Sequence, residues 1–319
     1  MGNEMAIGTS RETVMRAVSG LTGALLLVVA VAGCGGAEKE SAAAAPGVLD
    51  GFSKPESVLV AGDKWFVSNI GAKQEPMTKD GDGFLSRLDT SGKVVERKAM
   101  PRAGDPPLNA PKGMAYVDNK VFVADIDRVV GYDVDTLGQV FEAPLGGEAA
   151  SLLNDIAVLD DQTLLVTDTV RGSVYELDLE TKKFGTLTTS IPGANGIVFD
   201  KSTKTAYVAG LGAHFEGGDL YKLGVAQAPA AVGKVGTVHG TLDGIALLAN
   251  GDLAVSDWVS SDNPVPGTIK IYHPGGTQVS TVELPRDVHG PADFTIDGSG
   301  KNLIVPALAD DRVVIVALP

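Results

Sequence analysis

The sequence predicts an all-β chain folded as a six-bladed β-propeller of four-stranded blades. Three observations lead there. Beyond residue 51 no segment keeps a helical period, and short β-branched runs bounded by Gly, Asp and Asn recur instead. One unit returns six times: a polar residue, an apolar strand, a turn, a second apolar strand, then a small or acidic residue. The units end 56, 43, 42, 47 and 50 residues apart, which is the spacing of propeller blades. A β-sandwich would not hold one register six times.

The chain opens on an address. Leu21–Ala32 is an apolar run preceded by Arg11 and Arg16, the length of a signal-peptide core and too short for a comfortable membrane span. It ends in Val31-Ala32-Gly33-Cys34, which resembles a bacterial lipoprotein signal. Cys34 is the single cysteine of the chain, so it has no internal disulfide partner and is the expected lipidation site. Residues 1–34 therefore read as a lipoprotein signal peptide and 35–50 as a flexible tether. Glu4 and Glu12 are odd in a basic leader, and Met15-Arg16 would begin a cleaner one. The expected location is the bacterial cell envelope, outside the cytoplasm.

The propeller spans 51–319. Its units are Glu56–Asn69, Lys112–Asp125, Asp155–Asp168, Asn195–Gly210, Asp243–Asp257 and Asp293–Ala307. Each is followed by a second pair of strands, such as Ser173–Leu177 or Thr268–Tyr272. The last blade is one strand short, and the segment just before Phe52 is expected to supply it and close the ring.

Composition narrows the function. Of 319 residues, 44% are hydrophobic and 21% charged, enough apolar material for a large core. Forty glycines and 17 prolines suit many tight turns. The net charge is −14, and aromatic residues are 5%. An acidic, aromatic-poor surface disfavours nucleic acid and anionic membranes as partners. A small-molecule substrate or ligand is expected, with membrane contact through the lipid anchor alone and a monomeric domain.

The residues opening the inner strands carry the chemistry. They are Glu56, Lys112, Asp155 (with Asn154 beside it), Asn195, Asp243 and Asp293, and six-fold repetition puts them in a ring at the channel mouth. Two carboxylates about 5 Å apart repel by roughly 3 kcal/mol at an effective dielectric of 20. Either some hold protons or a cation sits among them, and an all-oxygen set favours a hard ion such as calcium. Asn-Gly and Asp-Gly pairs are ordinarily turn residues; recurrence at one register on a converging axis is what lifts them above that.

At these residues the chain resembles the senescence-marker-protein/gluconolactonase/luciferin-regenerating family of six-bladed propellers. The resemblance implies one divalent cation, usually calcium, held by Glu56, Asn154 (in Asn154-Asp155-Ile156), Asn195 (in Asn195-Gly196) and Asp243 (in Asp243-Gly244). It also implies that Asp243 is general base or nucleophile in a metal-assisted hydrolysis. Leu152 stands where members taking sugar acids carry an arginine, which argues against sugar-acid lactones. Ile156 replaces a glycine, and Ser57-Val58 lacks the downstream proline and tryptophan.

Long loops after the second strands of blades 1, 4 and 5 are expected to wall the site with Met77, His214, Phe215 and Trp258. His239 and His289 each lie four residues before a ring aspartate, in repeated Val-His-Gly. They read as pocket acid–base candidates or as satisfied turn residues. Three functions compete. The first is a calcium-dependent hydrolase of lactones or related esters, and the second a non-catalytic propeller that binds a ligand or protein around a structural ion. A lyase acting through His239 or His289 is the third.

Overall fold

The computed structural model describes residues 45–226, 228–260 and 265–319. The signal peptide, Cys34 and most of the tether lie outside the described residues. The strands form six antiparallel four-stranded sheets. Blade 1 is Pro55–Ala61, Lys64–Asn69, Phe84–Asp89 and Val94–Met100, and blade 2 is Pro111–Val117, Lys120–Asp125, Arg128–Asp133 and Gln139–Pro144. Blade 3 runs from Leu153–Asp160 through Thr163–Asp168 and Ser173–Asp178 to Lys183–Thr188. Blade 4 comprises Ala194–Asp200, Thr205–Gly210, Gly218–Gly224 and Val232–Gly240; blade 5 comprises Leu242–Leu247, Leu253–Asp257, Thr268–Tyr272 and Gln278–Val282.

Blade 6 is built from both ends of the domain. Thr295–Ile296, Asn302–Ala307 and Arg312–Ala317 are completed by Gly47–Asp50, in the order Gly47–Asp50, Arg312–Ala317, Asn302–Ala307, Thr295–Ile296. Gly47 pairs with Ile315 and Asp50 with Arg312. The segment before Phe52 thus supplies the missing strand, and paired structure reaches back to Gly47, into the stretch read as tether. Phe52 N–H then donates to the Asp311 carbonyl at 3.2 Å, and Asp311 accepts from the Lys54 N–H at 2.8 Å. Sealing the edge of Arg312–Ala317 removes a row of unpaired backbone groups that would template association.

The core is six cores. Each apolar cluster lies between two neighbouring blades: Phe66 and Leu85 pack with Val121 and Tyr132 between blades 1 and 2, and Trp65 and Val67 with Ile304 and Val313 between 6 and 1. Blades are therefore covered on both faces, and the second strands are buried almost throughout, as in Lys64–Asn69 and Thr163–Asp168. That is why they read as unbroken apolar runs, whereas the outermost strand Val94–Met100 is open to solvent over residues 94–98 and buried only at Ala99 and Met100. A seventh, smaller cluster of Ile70, Ala110, Ile126, Ala292 and Leu308 lies outside this series. Among the described residues no helix is long and apolar enough to cross a membrane.

Candidate functional site

One irregularity, repeated six times, makes the site. In blade 2, Pro111 pairs with Asp125 and Met114 with Val123, so three steps along the inner strand match two along its neighbour. Blades 3, 4 and 5 do the same between Leu153 and Ile156, Ala194 and Ile197, and Leu242 and Ile245. Blade 1 has its extra residue between Pro55 and Ser57, and blade 6 between Pro291 and Thr295. A bulge of this kind bends the strand and re-aims a side chain. Here it turns one residue per blade into the channel.

Counted from the paired residue before each bulge, the inward residues are Glu56, Lys112, Asn154, Asn195, Asp243 and Ala292. The first five line a single cavity of about 210 Å³. Asp155 and Asp293 do not line it. They occupy the next position, where the other blades carry Ser57, Gly113, Gly196 and Gly244. The expectation that put them in the ring is corrected by one residue, because the distance from bulge to strand end differs between blades. The small residues at this next position are dictated by crowding. A Cβ on Gly196 would fall 2.3 Å from the Asp243 carbonyl, and one on Gly113 2.2 Å from Asp155 Oδ1.

Asp155 and Asp293 join blades instead. The Asp155 carboxylate accepts from the N–H of Ile156 and, across the blade boundary, of Ile197, both at 2.7 Å. Ser57 Oγ donates to Asp293 at 2.5 Å, while Asp293 N–H donates to the Glu56 carbonyl at 3.0 Å. That pair closes blade 6 onto blade 1.

The ring is buried and short of partners. Glu56, Asn154, Asn195 and Asp243 are 4%, 7%, 4% and 5% exposed. Glu56 Oε2, Asn154 Oδ1 and Asn195 Oδ1 have no hydrogen-bond partner, and a buried unpartnered acceptor is costly. Burial is the main cause that holds the Glu56 carboxyl well above the usual range, with the Asp243 charge adding to it. Burial likewise raises Asp243 to about 7, against the pull of N–H groups from Trp258 and Asn195. Trp258 Nε1 makes no well-formed hydrogen bond, so its attraction for Asp243 acts through proximity. Burial also lifts Asp155 to about 6 and Asp293 well above its ordinary value.

Lys112 is the one cation in the ring. It is 1% exposed, and its ammonium donates to the Ala110 carbonyl at 2.7 Å. Burial lowers it to about 8, opposed by Glu56 and Asp125. Among the described residues no group of three or more His, Cys, Asp or Glu is arranged to hold a metal. The candidate set is of another kind, two carboxylates and two amides.

A second tier stands over the ring. The residue following each second strand is Ile70, Ile126, Thr169, Leu211, Trp258 or Leu308, and all but Ile126 line the cavity. In those five blades its N–H donates to the carbonyl two residues before the ring residue, at 2.8–3.0 Å. In four blades the residue before it, which ends the repeat unit, is polar; blades 4 and 6 have Gly210 and Ala307 there. Asn69, Asp125, Asp168 and Asp257 accept the N–H of Ser53, Ala110, Leu152 and Thr241 at 2.9, 2.9, 3.1 and 3.0 Å. The recurring terminal acid in the sequence is thus a clamp on the strand that delivers the ring. Of this collar only Trp258 was expected from the sequence, though the signal for the rest was there: the residue just after the unit end.

Of the expected wall residues, Trp258 and Phe215 line the cavity, whereas Met77 and His214 do not; Gln74 and Pro76 take the place of Met77. His214 is exposed in its loop. His239 lies on the outermost strand of blade 4, pairs with Asp219 at 3.1 Å and is 60% exposed in its side chain. His289 bonds Asp310 at 2.9 Å. Neither histidine lines the cavity.

No protein-family model matches the chain, and no curated protein is similar to it in sequence. Solved structures do share its architecture. Hydrazine synthase of Kuenenia stuttgartiensis superposes with a TM-score of 0.56 at 15% identity, over 83% of this chain and 77% of that one. A catalytically inactive variant of virginiamycin B lyase from Staphylococcus aureus, solved with quinupristin, gives 0.56 at 15% identity over 86% and 99%. The Cps50 propeller domain of Myceliophteria thermophila gives 0.54 at 12% over 86% and 98%. The likeness is one of fold. At such identities it carries no activity across.

Proposed function

We propose that the channel mouth binds a divalent cation of the calcium class through Glu56, Asn154, Asn195 and Asp243, and that a small ester or lactone is hydrolysed above it. One observation carries the reading: three buried side-chain oxygens without partners line the same cavity as Asp243. Oxygen-only donors of mixed charge suit a hard cation. The order of these residues along the chain, one in each of four blades, is the set implied by the resemblance to the gluconolactonase-like propellers.

A bound cation would supply Lewis-acid polarisation of a carbonyl or phosphoryl oxygen. The rest falls to the chain. Asp243, near the N–H groups of Asn195 and Trp258, would take a proton from water or attack directly. The collar excludes bulk water from that carboxylate, and Lys112 offsets part of the negative charge. The virginiamycin lyase has a lyase chemistry of its own, but neither His239 nor His289 reaches this cavity, so nothing here favours that chemistry.

The test separates ligand from base. Calcium should raise the unfolding temperature of the wild-type domain, since an ion bound to the native state stabilises it by mass action. Asp243→Asn keeps an oxygen donor and should lose about 100-fold or more in rate at saturating calcium. Glu56→Gln should weaken calcium binding and regain rate as calcium rises. If calcium stabilises the protein but lactones, esters and phosphotriesters all go unhydrolysed, the propeller is a binding module with a structural ion. We also propose anchoring at a lipidated Cys34; finding an unmodified internal Cys34 by mass spectrometry of the native protein would refute it.

A further inference from the structure

The cavity is polar below and largely apolar above. The ring offers oxygens and one ammonium. The collar directly over it offers Ile70, Leu211, Trp258 and Leu308, and its single hydroxyl, Thr169 Oγ1, already donates to the Ala194 carbonyl at 2.8 Å. Leu152 extends the apolar wall and is 4% exposed. Phe215 and Pro76 continue the apolar lining, Phe215 being 40% exposed and Val259, next to Trp258 in the chain, 53% exposed; Gln74 and Thr241 are the remaining polar lining residues.

We infer that the pocket takes a hydrophobic carbonyl compound polar end down: a lactone or ester bearing an alkyl or aryl substituent, not a polyhydroxylated sugar lactone. The inference rests on the ring being the polar, cation-binding end proposed above. A sugar lactone would bring several hydroxyls against the collar, where Trp258 Nε1–H is the one unpartnered side-chain donor and Gln74 and Thr241 are the other polar lining residues outside the ring. Each hydroxyl buried unpaired weakens binding. An alkyl substituent meets apolar surface instead, which favours binding in proportion to the area covered. Exposed apolar residues around a concave site mark the side from which such a ligand enters.

The experiment titrates the full chain, with calcium and with chelator, with γ-butyrolactone, γ-octalactone, γ-decalactone and glucono-δ-lactone. Trp258 emission and thermal shift report binding, and hydrolysis is followed in parallel. Trp65, the other tryptophan of the chain, is buried in the core between blades 6 and 1 and should stay constant. Affinity should rise about two- to fourfold per added methylene until the chain outgrows the cavity, with gluconolactone weakest. Leu211→Ser should flatten that series. Should it not fold, Phe215→Ala at the exposed rim should still weaken decalactone about threefold or more.

Gluconolactone binding as tightly as decalactone would overturn the inference. So would binding of none of the four, or a chain-length series unchanged in both variants. A rising series without hydrolysis supports the inference while removing the hydrolase reading. Loss of any calcium effect with the series intact removes the cation and leaves the apolar pocket standing.

Discussion

Lys112 sets the terms at the scale of single residues. A fully buried ammonium among oxygen donors repels any incoming cation, yet it also offsets the charge of Glu56 when none is bound. At an effective dielectric near 20, a unit charge and a divalent ion about 5 Å apart repel by roughly 6–7 kcal/mol, part of which is regained by attraction to Glu56. Lys112→Met should therefore tighten calcium binding by about tenfold or more while lowering the stability of the calcium-free protein. Calorimetric titration and melting in chelator read the two effects separately; unchanged affinity would place Lys112 outside the ion's field. Asp155 and Asp293 teach the complementary point. Both are buried carboxylates beside the ring, but their oxygens are taken by Ile156, Ile197 and Ser57, so they hold blades together.

The element that matters is the bulged inner strand. In blades 2, 4 and 5 a glycine follows the side chain it delivers to the channel and lets the neighbouring strand approach closely. Gly244 shows this: a Cβ there would lie 2.6 Å from the Ala292 carbonyl and 2.6 Å from Asp293 Cα, both backbone atoms unable to swing aside. Gly244→Ala should cost about 1–3 kcal/mol, as overpacking does, and should weaken cation binding because Asp243 moves with the strand. Gly224→Ala, where a Cβ meets nothing within 4 Å, is the matched control and should be nearly neutral. Equal unfolding midpoints for the two variants in denaturant would show that the close strand approach is not what demands glycine.

For the whole molecule the decisive feature is closure. Gly47–Asp50 is largely exposed in its side chains, so its worth lies in backbone pairing that covers the edge of Arg312–Ala317, whose Val313–Val316 are buried. A chain beginning at Gly51 should melt at lower temperature and associate through that edge, whereas one beginning at Ala45 should behave as the full domain. Light scattering and thermal unfolding compare the two; indistinguishable behaviour would make the closing strand dispensable. Closure also keeps the ring in shape, since blade 6 meets blade 1 through the Ser57–Asp293 contact beside Glu56.

The sequence alone determined the repeat, the six blades, the missing last strand and its donor, because each is a pattern of apolar runs and turns that local physics writes into the chain. Repetition also pointed to a ring of Glu56, Lys112, Asp155, Asn195, Asp243 and Asp293, since it puts like positions on one circle, whereas Asn154 entered only as the neighbour of Asp155 and through the resemblance to a known family. Only the tertiary structure decided that Asp155 and Asp293 stand one place off that circle, because the length of chain between the bulge and the end of the second strand differs from blade to blade. It alone joined Ile70, Thr169, Leu211 and Leu308 to the expected Trp258 as a collar. These residues are separated by whole blades in sequence and become neighbours only when the ring closes. The histidines were legible as chemistry and misleading as position: His239 sits on an outermost strand, and which strand of a blade faces the axis is settled by packing, not by residue type.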